Sequence, residues 1–105
     1  MNLEVKREKR GDTCWVAVTG EVDLYSSPEL RRALTRAWTS KHSRIEVDLS
    51  GVEYMDSSGV ATLVEGLRAT NGKGTRFVLR GPSPPVKKVL HLSRLDTVFE
   101  IEDAG

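Results

Sequence analysis

Apolar and charged residues alternate through Leu3 and Val5, the period-two pattern of a short first strand. Arg10-Gly11-Asp12 breaks the pattern as a turn, with a glycine available for positive φ. In the next run Cys14, Val16, Val18, Gly20 and Val22 share one parity, and Trp15, Ala17 and Thr19 the other. Both faces are largely apolar, so this strand is expected to be central and covered on both sides. Two strands joined by a tight turn predict an antiparallel hairpin.

The period then changes. Leu30, Ala33, Leu34, Ala37 and Trp38 form one helical stripe, with Arg31, Arg32, Thr35 and Arg36 facing water. Ser26 and Glu29 have the spacing of a capping box, and Pro28 suits a first turn. Ile45, Val47 and Leu49 alternate with Glu46 and Asp48 as a third strand. Val60, Leu63, Val64 and Leu67 define a second helix, closed by the turn formers Asn71-Gly72-Lys73-Gly74. Arg76-Phe77-Val78-Leu79 reads as a fourth strand. A rigid loop, Gly81 to Pro85, opens a third helix with Val86, Val89, Leu90 and Leu92 as its apolar members. Val98, Phe99 and Ile101 suggest a short edge strand. The order β-β-α-β-α-β-α-β implies right-handed crossovers. The expected fold is α/β: one domain over residues 1–105, with a mixed, mostly parallel sheet of four to five strands. An N-terminal β-hairpin leads into helices packed in β-α units.

Composition narrows the function. The chain has 105 residues and a net charge of +1, so no global field points to nucleic acid. The basic cluster Lys6, Arg7, Lys9, Arg10 is interrupted by Glu8 and reads as a solvated strand end. The single cysteine, Cys14, excludes an internal disulfide and lies in an apolar run, which reads as a buried thiol. Met1 to Arg10 is charged throughout and lacks a signal-peptide pattern. No apolar run approaches the roughly 20 residues that span a bilayer, so no direct membrane insertion is expected, and the expected location is cytoplasmic.

The loops that leave the C-terminal ends of parallel strands gather at one sheet edge. Three loops qualify: Asp23-Leu24-Tyr25-Ser26, Gly51 to Ser58, and Gly81 to Pro85. Asp23 and Ser57 should therefore be neighbours. Asp56-Ser57-Ser58-Gly59 puts a carboxylate and two hydroxyls at a helix start, where free N–H groups and partial positive charge suit an anion. One of Asp56, Ser57 and Ser58 caps the helix; three in a row exceed what a cap needs. Gly59 would let a bulky group approach closely. Tyr54 and Met55, on a loop expected to be exposed, read equally as loop packing or as an apolar anchor for a partner. A serine nucleophile needs a nearby base, and His42 and His91 both fall away from this edge. No Cys/His cluster has metal-ligand spacing, and no glycine-rich nucleotide loop occurs. The sequence thus predicts a protein that is not an enzyme, with no catalytic residue, metal or cofactor.

Three motifs carry a resemblance: Val18-Thr19-Gly20-Glu21-Val22-Asp23; Val47 to Gly59, ending in Asp-Ser-Ser-Gly; and Leu92-Ser93-Arg94-Leu95 leading to Phe99. In this order and spacing the chain resembles the STAS domain from Val16 to Phe99, and within it the bacterial anti-sigma-factor antagonists. The resemblance implies a phosphoprotein that regulates transcription by partner switching. The serine after the Asp, here Ser57, would be phosphorylated by an anti-sigma factor with serine kinase activity. A serine phosphatase of the metal-dependent class would reset it. The implied partner surface comprises Asp23, Leu24, Tyr25, Tyr54, Met55, Asp56, Ser57, Ser58, Gly59, Pro82 and Ser83. Two positions depart from the antagonist pattern: Val60-Ala61 replaces Leu-Gly, and Arg94 stands where many members have glycine near a helix end. Ser58 to Val64 also resembles STAS proteins that dock on the ATPase of lipid-transporting ABC complexes, which is the alternative partner.

Overall fold

The structure, a computed structural model, describes residues 3–103. The elements in chain order are β1 (Leu3–Arg10), β2 (Thr13–Val22), α1 (Ser27–Thr39), β3 (Arg44–Met55), α2 (Ser57–Thr70), β4 (Arg76–Arg80), α3 (Pro84–Leu92) and β5 (Glu100–Glu102). This is the expected α/β order with five strands, arranged in the sheet as β1-β2-β3-β4-β5. β1 pairs antiparallel with β2 across Gly11, whose φ is +61°, and every other pair is parallel.

Strand order equal to chain order has a geometric consequence. Each crossover steps one strand in the same direction, so right-handed connections place every helix on the same face. The core lies on that face. Cys14, Val16 and Val18 of β2, Ile45, Val47 and Leu49 of β3, and Phe77 and Leu79 of β4 pack against Leu30, Leu34, Leu63 and Leu90 of the three helices.

The expectation that β2 is covered on both faces is therefore corrected. On the helix-free face Trp15 is only half-buried, and the Arg10 guanidinium lies 3.9 Å from its ring centroid. Farther across, Arg44 pairs with Glu46 at 2.7 Å and with Glu102 at 2.8 Å, and Arg76 pairs with Glu100. This lattice borders Val78, which is fully buried although it points away from the helices. Arginine stems supply the apolar cover that a second helix layer would otherwise give.

β3 also runs farther than its alternation suggests. It pairs with β2 as far as Val22–Met55, with register shifts between Ala17 and Thr19 and between Gly20 and Glu21. These irregularities break the period of two and disguise residues 51–55 as loop. Gly51 permits the close approach: a Cβ there would lie 2.5 Å from Thr19 Cγ2.

Candidate functional site

β2 and β3 leave the sheet side by side, and the Asp56 N–H donates to the Val22 carbonyl at 3.1 Å. This bond joins the first two loops at one edge, bringing the Asp23 turn next to the start of α2.

The Asp23 turn is built by its own carboxylate. Asp23 Oδ1 accepts the backbone N–H groups of Tyr25 and Ser26, each at 2.9 Å. The Ser26 hydroxyl accepts the Asp23 N–H at 2.9 Å and donates to the Glu21 carbonyl at 2.8 Å. The Ser26 N–H, then the Ser26 hydroxyl and the Tyr25 N–H, hold the Asp23 carboxyl below its ordinary range, against a partial burial penalty. The capping box expected of Ser26 and Glu29 does not form, because the Ser26 hydroxyl is committed to this turn and makes no cap bond. The Asp-x-x-Ser spacing is the signal that could have revealed the turn in the sequence. The result is a tight loop that holds Leu24 and Tyr25 outward, 68% and 80% exposed.

At the start of α2, Asp56 is the cap. Its Oδ1 accepts the Ser58 N–H at 2.9 Å and the Ser58 hydroxyl at 2.5 Å. Ser57 is the first helical residue and is exposed, and among the described residues its hydroxyl has no hydrogen-bond partner. The two neighbouring serines are thus chemically distinct: one hydroxyl is held by a carboxylate and the other is free. Gly59 is buried, and a Cβ there would lie 2.6 Å from Met55 Cγ and 2.8 Å from Val22 Cγ1. The missing side chain seats α2 directly on β2 and β3.

Several expected surface residues lie inside. Met55 is 5% exposed and belongs to the core, so of the Tyr54-Met55 pair only Tyr54, 50% exposed, faces solvent. Strand alternation at the end of β3 separates the two. Pro82 and Ser83 are also buried. The Ser83 hydroxyl donates to the Val52 carbonyl at 2.6 Å, which ties the third loop beneath the edge. Gly59, Met55, Pro82 and Ser83 therefore shape the surface from below, while Leu24, Tyr25, Tyr54 and Ser57 form it.

The first two connections are also acidic. Connections 21–29, 50–61 and 81–86 carry Glu21, Asp23, Glu29, Glu53 and Asp56 and no lysine, arginine or histidine. His42 precedes β3 at the opposite sheet edge, and His91 sits near the end of α3 with Nδ1 3.1 Å from Asp96. Neither reaches Ser57 as a base. Among the described residues no cluster of three or more His, Cys, Asp or Glu side chains could hold a metal ion, and no helix is long and apolar enough to cross a membrane. The arrangement offers an exposed hydroxyl at a helix N-terminus, rimmed by exposed apolar side chains and carboxylates.

Comparison with known proteins matches residues 5–101 to the family described as "Mlab, STAS domain". An anti-sigma-B factor antagonist of Listeria monocytogenes is 27% identical over 104 residues, covering 98% of this chain and 91% of that protein. The crystal structure of an anti-sigma factor antagonist from Mycobacterium paratuberculosis superposes with a TM-score of 0.90 at 26% identity, covering 98% of this chain and 87% of that one. The Bacillus cell fate determinant SpoIIAA in its phosphorylated form superposes with a TM-score of 0.76 at 25% identity, covering 97% and 92%.

Proposed function

The chain belongs to the STAS domain family, and we propose that within it the protein acts as an anti-sigma-factor antagonist, switched by phosphorylation of Ser57. In the unphosphorylated state the edge formed by Leu24, Tyr25 and Tyr54 binds an anti-sigma factor that is also a serine kinase. That kinase phosphorylates Ser57, the complex dissociates, and a metal-dependent serine phosphatase restores binding. The carrying observation is the unpartnered, exposed Ser57 hydroxyl beside a Ser58 hydroxyl already held by Asp56.

The physical logic is local. A phosphate adds about −1.5 to −2 charge at pH 7. It would stand beside Asp56 and near Asp23, in connections that carry no lysine or arginine of their own. Contact with a partner strips water from these charges and strengthens their repulsion. The helix N-terminus offsets part of the cost within the free protein, by up to ~2 kcal/mol in favourable geometry. The fold therefore tolerates the phosphate while the complex does not. Ser57→Asp tests this: thermal stability should stay near wild type and affinity for the anti-sigma factor should fall. Undiminished binding by the folded variant would refute the reading.

A second reading is docking of the same edge on the ATPase of an ABC complex. It is favoured by Val60-Ala61, where Ala61 leaves a small, exposed position one turn after Ser57. Co-purification separates the two: a kinase-like partner supports the first, an ABC ATPase with its permease the second.

A further inference from the structure

β1 is an edge strand, and its outer rim is open: β2 is its only strand partner among the described residues. It pairs with β2 over all eight residues with no register shift and contains no proline. Alternate N–H and C=O groups along such a rim remain unpaired, a ready template for another strand. The side chains then decide which strand fits. Leu3, Val5, Arg7 and Lys9 share the helix-bearing face, while Glu4, Lys6, Glu8 and Arg10 share the open face.

On the open face Glu8 and Arg10 pair with each other, and Arg10 also covers Trp15. Glu4 and Lys6 have the same two-residue spacing, yet among the described residues neither has an ion-pair partner, and both are exposed. They rim a shallow depression of about 370 Å³ floored by Trp15, Ala17 and Thr19, with Asp48 of β3 on its far side.

We infer that β1 is a self-association edge, on which a second copy of this chain pairs antiparallel about a two-fold axis through Val5. In that register Val5 faces Val5 of the second copy. Glu4 faces its Lys6, Lys6 faces its Glu4, and Leu3 lies across the stem of its Arg7. Opposite charges directly across a strand pair stabilise it, and like charges destabilise it. The neighbouring symmetric registers fail on this ground. Centring on Lys6 sets Lys6 against Lys6 and Glu4 against Glu8. Centring on Arg7 sets Arg7 against Arg7 and calls on Glu8 and Arg10, which already have partners.

The contact is short, below the roughly 1,600 Å² of a standard stable interface, so the dimer forms at high protein concentration and exchanges with monomer. Antiparallel pairing turns the parallel strands of the two copies in opposite directions. Their Ser57 edges then lie at opposite ends and stay open, so self-association does not depend on the function proposed for that edge.

Sedimentation velocity over a concentration series tests the inference. Wild type should move from monomer mass towards dimer mass. Lys6→Glu, which sets Glu against Glu at both symmetric contacts, should raise the dimer dissociation constant about tenfold. The charge swap Glu4→Lys with Lys6→Glu restores opposite charges at both symmetric contacts of the Val5-centred register, leaves like charges at the centre of the Lys6-centred one, and should recover the wild-type constant. Matched thermal unfolding of the three proteins confirms that each is folded. A wild type that stays monomeric throughout, a Lys6→Glu variant that dimerises as well as wild type, or a charge swap that fails to recover would each overturn it.

Discussion

Asp56 accepts both the backbone N–H and the hydroxyl of Ser58, and so separates two adjacent serines into one held hydroxyl and one free hydroxyl. Asp56→Ala should lower stability by about 1 kcal/mol, the usual loss for an N-cap. Ser57→Ala, which removes an unpartnered hydroxyl, should leave the melting temperature unchanged. Thermal unfolding of the two variants checks the contrast. An equal loss in both would place Ser57 in the cap.

Leu24, Tyr25 and Tyr54 are large side chains exposed on the sheet edge that also carries Ser57. Alanine at Tyr25 or Tyr54 should weaken binding to the anti-sigma factor by tenfold or more, about 1.4 kcal/mol, as for central interface anchors. The melting temperature should not move, because neither residue belongs to the core. Titration calorimetry beside thermal unfolding separates the two effects.

Arg94 has φ of +58°, the left-handed conformation. Its N–H donates to the His91 carbonyl at 3.0 Å and the Leu95 N–H to the Leu90 carbonyl at 2.9 Å, a Schellman ending for α3. A non-glycine residue pays roughly 1–2 kcal/mol for this conformation. Arg94→Gly should raise stability by about 1 kcal/mol after the added freedom of the unfolded chain, a rise of roughly 4–8 °C in melting temperature. A lower melting temperature would show that the arginine side chain contributes more than its backbone costs.

Gly66 lies against the Phe77 ring, and a Cβ there would come within 2.6 Å of Phe77 Cζ. Gly66→Ala should therefore destabilise by about 1–3 kcal/mol by overpacking, despite alanine's better helix propensity. Urea unfolding reads the sign: a more stable variant would mean the ring moves aside freely.

The Asp23 carboxyl is held below its ordinary range by the N–H groups it accepts. Its contribution is present above the unfolded value near ~3.9 and is lost as pH falls through the lower, folded value. Asp23→Asn should flatten the fall in melting temperature below about pH 4 relative to wild type. An unchanged acid profile would mean the turn does not depend on the charge.

Element order and the site edge were legible in the sequence because each rests on a strong local signal: parity in β2 and β3, the helical stripe of α1, and Asp-Ser-Ser-Gly before α2. What escaped notice depends on relations between distant residues. The end of β3 was hidden by two register shifts, so Met55 read as loop although its side chain packs under Gly59. The Ser26 hydroxyl had two sets of partners at the same spacing, and the Asp23 turn claimed it. β2 read as covered on both sides because apolar parity does not report how many helix layers a sheet receives; strand order decides that. Arg94 departs from the family pattern, and its positive φ is the physical reason that glycine would suit the position.

Phosphorylation of the Ser57 hydroxyl by a partner kinase, with the Ser58 hydroxyl kept in the cap, is the step on which the proposed switch depends. Its most direct test is incubation of wild type, Ser57→Ala and Ser58→Ala with the cognate anti-sigma kinase and ATP, followed by mass-spectrometric mapping of the phosphate. One phosphate is expected on Ser57 in wild type and Ser58→Ala, and none in Ser57→Ala. A phosphate on Ser58 of the wild-type chain, or equal labelling of Ser57→Ala, would contradict it.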